Sequence, residues 1–132
     1  MRYLSVHEVL FIHFQVIEQF GGTHGVLNLP GLESAIARPQ ATMDGDDLYA
    51  SVLQKAAVFL HSLVLNHPFQ DGNKRTALTA VGLFLRFNGM ELEGSRTEAE
   101  NLIVDVVNRH FPVETIVSWL ASHTDSMDDE HR

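Results

Sequence analysis

The sequence predicts an all-α protein folded as one domain. Apolar residues recur at helical spacing nearly throughout, and capping signals stand at the heads of several runs. A length of 132 residues suits one core and leaves little room for a second. Hydrophobic residues make up 45% and charged residues 20%, enough apolar surface for a chain of this size to fold without staples. Cysteine is absent, which excludes disulfides and thiolate metal sites and fits a reducing compartment.

Taken in order, Ser5 with Glu8 reads as a capping box. Val6, Val9, Leu10, His13, Val16, Ile17 and Phe20 follow at helical spacing, and Gly21-Gly22 stops the run. Thr23 to Pro30 has no helical pattern and carries Gly25, Asn28 and Pro30, so an exposed extended segment or short hairpin is expected. Leu32 to Arg38 fits a short helix ended by Pro39. Asp46-Asp47 is expected to open a long helix, because carboxylates in a first turn complement the macrodipole. That helix runs through Leu48, Val52, Lys55, Ala56, Phe59, Leu63 and Leu65 to Asn66, and apolar residues on more than one face imply burial on most sides. It stops at His67-Pro68. Another apolar helix spans Asn73 to Phe87, closed by Asn88-Gly89.

Met90 to Gly94 is a brief extended piece. Ser95 and Glu98 offer a second capping box, for a helix through Leu102, Ile103, Val106 and Val107. Pro112 suits the first position of the last helix, which carries Ile116, Val117, Trp119 and Leu120. The domain is expected to span 1–124, with 125–132 as a disordered acidic tail lacking core residues. Phe59, Phe84, Phe87, Phe111 and Trp119 lie at helical spacing with aliphatics, so core packing is their expected role.

Net charge is −8, from 17 Asp and Glu against 9 Lys and Arg. Nucleic-acid backbones require a basic stripe, so no nucleic-acid partner is expected. A nucleotide is compatible with this charge, because a few local donors and a metal ion can hold a triphosphate. The N-terminal residues turn polar too soon for a secretory core, and no apolar run reaches membrane-spanning length. A cytoplasmic protein with no membrane partner is expected.

The segment His67-Pro68-Phe69-Gln70-Asp71-Gly72-Asn73-Lys74-Arg75 carries the chemistry. It joins two buried helices, where a plain polar connector would serve. Gly72-Asn73 opens a helix whose first N–H groups form an anion site. Lys74 and Arg75 stand in its first turn, where cations oppose the macrodipole. A polyphosphate would meet the dipole and both cations together. Asp71 can hold Mg²⁺, which commonly takes one or two carboxylates plus phosphate oxygens. His67 can accept a proton from an attacking hydroxyl near neutral pH. Phe69, with Pro68, is the apolar anchor of the loop. A transition-metal site of His61, His67 and Asp71 is disfavoured, since no second acid stands at ligand spacing. The other histidines, His7, His13, His110, His123 and His131, read as packed, surface or helix-end residues.

From His67 to Leu78 the chain resembles the signature loop of the Fic/Doc family, H-P-F-x-(D/E)-G-N-G-R-x-x-R. The resemblance extends from about Tyr3 to Thr124 and implies that family's helical bundle, with a short extended flap before the central helix. Lys74 replaces the second Gly of the family's AMP-transferring members, and Leu78 replaces their final Arg. Both match the Doc (death on curing) branch. The resemblance therefore implies ATP bound with its γ-phosphate at His67, and phosphorylation of a protein hydroxyl. In Doc the target is a threonine of elongation factor Tu, whose modification halts translation. By position, His67 and Asp71 would be catalytic, with Asp71 also the Mg²⁺ ligand. Gly72, Asn73, Lys74 and Arg75 would bind the phosphates, and Thr23–Pro30 falls where the family places its target-docking flap.

Self-restrained family members carry an inhibitory helix of pattern (S/T)-x-x-x-E-(G/N). The nearest candidate, Glu93-Gly94, has Gly89 where the Ser or Thr belongs. A cognate antitoxin acting in trans is therefore expected, as in a toxin–antitoxin module. Two other functions remain open at this point. One is transfer of AMP or another nucleotide to a protein, and the other is a non-catalytic helical module that keeps the loop only as structure.

Overall fold

A serine followed by Glu or Gln in the N3 position starts three of the helices. Ser5 accepts the Glu8 N–H at 3.1 Å, Ser51 that of Gln54 at 3.1 Å and Ser95 that of Glu98 at 3.0 Å, and each acidic or amide side chain returns the bond. Each such cap is worth about 1 kcal/mol. In the computed structural model, which describes residues 1–127, these caps open α1 (Val6–Phe20), α3 (Val52–Asn66) and α5 (Arg96–Asn108). The remaining helices are α2 (Leu29–Ala37), running into a 3₁₀ turn at Arg38–Gln40, α4 (Asn73–Phe87) and α6 (Val113–Ser122).

Two small antiparallel sheets correct the all-α expectation. Strands β1 (Thr42–Met43) and β2 (Asp46–Asp47) form one, and β3 (Met90–Leu92) and β4 (Thr124–Ser126) the other, with Met90 opposite Ser126. Asp46-Asp47 therefore belongs to a hairpin and opens no helix. The cause is Asp44-Gly45, whose φ angles of 53° and 87° suit the tight turn that right-twisted strands require. The long helix begins later, at the Ser51 box. Strand β4 also takes up Asp125 and Ser126 of the expected tail, while residues 128–132 lie outside those described.

Other boundaries differ by small amounts. Asn28 caps α2 by accepting the Gly31 N–H at 2.9 Å, so α2 starts at Leu29, before the expected Leu32. Pro39 sits inside the 3₁₀ turn, and Pro112 is the N-cap of α6, one position earlier than expected. Phe87 is 40% exposed beneath the Arg2 guanidinium, whereas Phe59 and Phe84 are buried as expected.

Helix α3 is central and packs against α2, α4, α5 and α6. Its buried residues run almost unbroken from Lys55 to Val64, which matches burial on most sides. The one charge among them, Lys55, is 1% exposed; its Nζ donates to Pro39 O and Asp47 Oδ2, both at 3.1 Å, tying the hairpin to the core. Phe59 and Phe84 meet edge-on across the α3–α4 contact, with centroids 6.1 Å apart. The segment 67–72 is thus held at both ends by buried helices. Among the described residues no helix is long and apolar enough to cross a membrane.

Candidate active site

Helix α3 ends on His67, whose φ of 45° and ψ of 59° turn the chain out of the helix. The exit exposes the imidazole while Pro68 and Phe69 go back into the core, Phe69 at 1% exposure. Asn73, first residue of α4, clamps this loop. Its Oδ1 accepts the Phe69 N–H at 3.0 Å, and its Nδ2 donates to Phe69 O at 2.8 Å. These two bonds fix the orientation of the amide, so the further contact to His67 Nε2 at 3.3 Å has Asn73 as donor. His67 Nε2 therefore presents a lone pair, held by a bond long enough for an incoming hydroxyl to replace.

The start of α4 is built on Gly72. It caps α4 in the left-handed conformation, with φ 77°, and provides no side-chain cap, unlike the serines of α1, α3 and α5. A Cβ there would lie 3.1 Å from Ile17 Cδ1 and 3.3 Å from Val16 Cγ1, so glycine also answers to close packing on α1. The first N–H groups of α4 are left for a ligand. Lys74 is exposed, and Arg75 is half-buried with its guanidinium 4.0 Å above the Phe20 ring. Arg75 Nη1 is buried and has no hydrogen-bond partner among the described residues. Arg2, Lys55 and Arg86 are spent in ion pairs, whereas among the described residues Lys74 and Arg75, like Arg38, Arg96 and Arg109, are in none. Two adjacent cations therefore stand at this helix end, in a chain whose net charge is −8.

His67, Asp71, Gly72, Asn73, Lys74 and Arg75 all line one cleft of about 530 Å³, with Gln70 beside them. Phe69 is not on its wall and is buried in the core. The opposite wall is apolar, made by Val64 of α3 and Ile103, Val104 and Val107 of α5, with Asn108 at its end. That wall was not anticipated. Its signal was an apolar stripe on α5 too wide for the core, since Val104 and Val107 are 39% and 43% exposed.

Asp71 is exposed, and its Oδ2 accepts the Thr23 N–H at 2.7 Å. That bond orients one carboxylate at the cleft. Among the described residues no cluster of three or more metal-ligating side chains forms, so a cation here would take Asp71 from the chain and its remaining oxygens from substrate and water.

The expected flap is extended but forms no hairpin with itself; it is tied to the loop. Val26 pairs with Phe69, Gln70 N donates to Gly25 O at 3.0 Å, and Leu27 N donates to Pro68 O at 2.8 Å. Its last residues, Leu29 and Pro30, already belong to α2.

His13 is a packed residue, as expected, but it packs against the loop. It is 4% exposed on α1, stacks on Phe69 with centroids 3.9 Å apart and planes 7° apart, and reaches Asp71 O with Nε2 at 2.9 Å. A buried polar side chain in an apolar stripe needs a partner, and that requirement was the available signal. Burial holds its pKa below the ordinary 6.5, against the pull of the Asp71 carbonyl. His61 is lowered too, by burial and then by the Arg38 guanidinium. For both groups the unfolded chain binds more protons than the folded one between the depressed folded pKa and 6.5. This contribution to stability is therefore complete above about pH 6.5 and is lost as pH falls from there toward the depressed values. Thermal melts between about pH 7.5 and about pH 5 are expected to show the loss, with a shallower slope for His13→Phe than for the parent.

Comparison with known proteins identifies the class. The model of the Fic/DOC family matches residues 3–85, more than half of the chain. The chain belongs to the Fic/Doc family. It is 42% identical over 104 residues to a protein named Toxin Doc from Mycolicibacterium smegmatis, covering 77% of this chain and 80% of the relative. It is also 31% identical over 120 residues to Protein kinase doc of Escherichia phage P1, covering 91% and 94% respectively. These relatives place it on the Doc branch.

Proposed function

We propose that this chain is a Doc-like toxin: a nucleotide-using, protein-modifying enzyme that transfers the γ-phosphate of ATP to a protein hydroxyl in the cytoplasm. The observation that carries this reading is the convergence on one cleft of a helix start without a side-chain cap, two cations outside any ion pair and an exposed imidazole. A triphosphate supplies what the first turn of α4 lacks, an anion facing its N–H groups and Lys74 and Arg75. The name of the phage relative supports phosphoryl transfer.

In the proposed reaction the target oxygen attacks the γ-phosphorus and its proton passes to His67 Nε2. The bond from the γ-phosphorus to the β–γ bridging oxygen breaks, and ADP leaves. Gly72, Asn73, Lys74 and Arg75 hold the phosphates in line with the incoming oxygen, and Phe69 keeps the loop rigid beneath them. Asp71, oriented by Thr23, would hold Mg²⁺, which when bound neutralises phosphate charge. The apolar wall of α5 would exclude water from the transferring group. By analogy with Doc the target is a translation factor, elongation factor Tu, so the consequence would be translation inhibition. Control would come from a cognate antitoxin covering the cleft.

Incubation of candidate targets with ATP and Mg²⁺, read by intact-protein mass spectrometry, tests the proposal. A gain of one phosphate supports it. A gain of a nucleoside monophosphate makes the chain a nucleotidyl transferase, and no modification with any nucleotide leaves a binding module. Lys74→Gly is expected to slow phosphoryl transfer by about 10-fold or more, through loss of one cation from the phosphate site. Transfer rates measured at saturating ATP check this; an unchanged rate would remove Lys74 from the phosphate-binding set.

A further inference from the structure

We infer that His13 of α1 is a positioning residue of the phosphate-binding end of the cleft, aiming the Gly72 N–H at the ligand by holding the carbonyl of Asp71. A carbonyl oxygen can only accept, so the 2.9 Å contact from His13 Nε2 to Asp71 O is a donated bond, and Nε2 carries the proton. The ring is clamped face to face on Phe69, which is itself buried and bonded through N and O to Asn73. The donor is thus held between α1 and the buried anchor of the loop.

The consequence follows from peptide geometry. The Asp71–Gly72 unit is planar and trans, so its C=O and N–H point in opposite directions. Drawing the carbonyl toward α1 turns the Gly72 N–H away from α1. Gly72 lines the cleft, and among the described residues no protein acceptor meets its N–H. Val16 and Ile17 press on the same glycine from α1, with His13 Cδ2 3.9 Å from where its Cβ would be. One face of α1 therefore sets the plane in which the loop hands over to α4.

The inference rests on the phosphate-binding role proposed for the cleft, and its test separates the two. His13→Phe keeps an aromatic ring on Phe69 and removes the donor. His13→Gln keeps an N–H of similar reach and removes the ring. In the nucleotide-free protein, the backbone amide resonances of Gly72 and Asn73 are expected to shift and to exchange faster in the Phe variant, and to return toward the parent in the Gln variant. Inorganic triphosphate with Mg²⁺, titrated against each protein, is expected to bind about 10–100-fold more weakly to the Phe variant, with partial recovery in the Gln variant. Unmoved amides in His13→Phe would overturn the inference, as would equal losses in both variants matched by equal falls in melting temperature, the mark of a packing role. If the parent binds no triphosphate, the proposed function fails instead, and the amide shifts alone decide whether His13 sets the peptide.

Discussion

Replacing His67 with Asn is expected to lower phosphoryl transfer by about 10²–10⁴-fold while leaving the melting temperature within a few degrees of the parent. The size follows from removing the one imidazole that lines the cleft among the described residues. Stability is spared for two local reasons. The side chain is exposed, with a single long contact to Asn73 at 3.3 Å. Its backbone is left-handed at φ 45°, a conformation that Asn tolerates better than any other residue with a side chain except Asp. Ala at this position would confuse lost chemistry with backbone strain. Initial rates with saturating ATP, alongside thermal melts, check the expectation. A variant that keeps more than about a tenth of the parent rate would show that the target hydroxyl loses its proton to some other group.

Phe69→Ala is expected to destabilise the protein by about 3–5 kcal/mol, a large share of the roughly 5–15 kcal/mol that holds a domain of this kind together. The corresponding fall in melting temperature is roughly 10–20 °C. Phe69 is 1% exposed, so its removal leaves a cavity under the loop, and the His13 ring loses the surface on which it stacks. The damage also reaches beyond packing. Phe69 is bridged to Val26 of the flap and clamped at N and O by Asn73, so flap and loop loosen together. Hydrogen exchange should therefore quicken at Leu27, Asn28 and Gln70, whose N–H groups bridge flap and loop, more than in the interior of α6. Phe69→Leu, which refills much of the volume, is expected to recover over half of the loss. A melting temperature within about 3 °C of the parent for Phe69→Ala would mean that the loop is held by its backbone bonds alone.

What could be read in the sequence was what neighbouring residues settle among themselves. Ser5 with Glu8 and Ser95 with Glu98 announce helices because a cap and its partner lie within one turn of chain. Gly21 and Asn88-Gly89 end them because the backbone must leave the helix there. The residues His67, Asp71, Gly72, Asn73, Lys74 and Arg75 were legible as a candidate site for the same reason. They lie within one nine-residue segment, and their order already brings an imidazole, a carboxylate and two cations to one helix start. Where local signals competed, the reading failed. Asp46-Asp47 looked like a helix start, but Asp44-Gly45 beside it was a hairpin turn, and Ser51 with Gln54 was the true cap.

The tertiary structure decided everything that depends on contacts between distant parts of the chain. The apolar wall of α5 faces the loop only because both helices pack on α3. Strand β4 exists because Thr124–Ser126 finds β3, a pairing that no local propensity encodes. His13 reaches the Asp71 carbonyl across 58 residues of sequence, and the flap lies along the loop through bonds to Pro68 and Gln70. By itself, then, the sequence determined which chemical groups meet at the start of α4, because dihedral preferences and capping act over a few residues. Packing determined how those groups are aimed, because the position of a peptide plane depends on whatever the folded core presses against it.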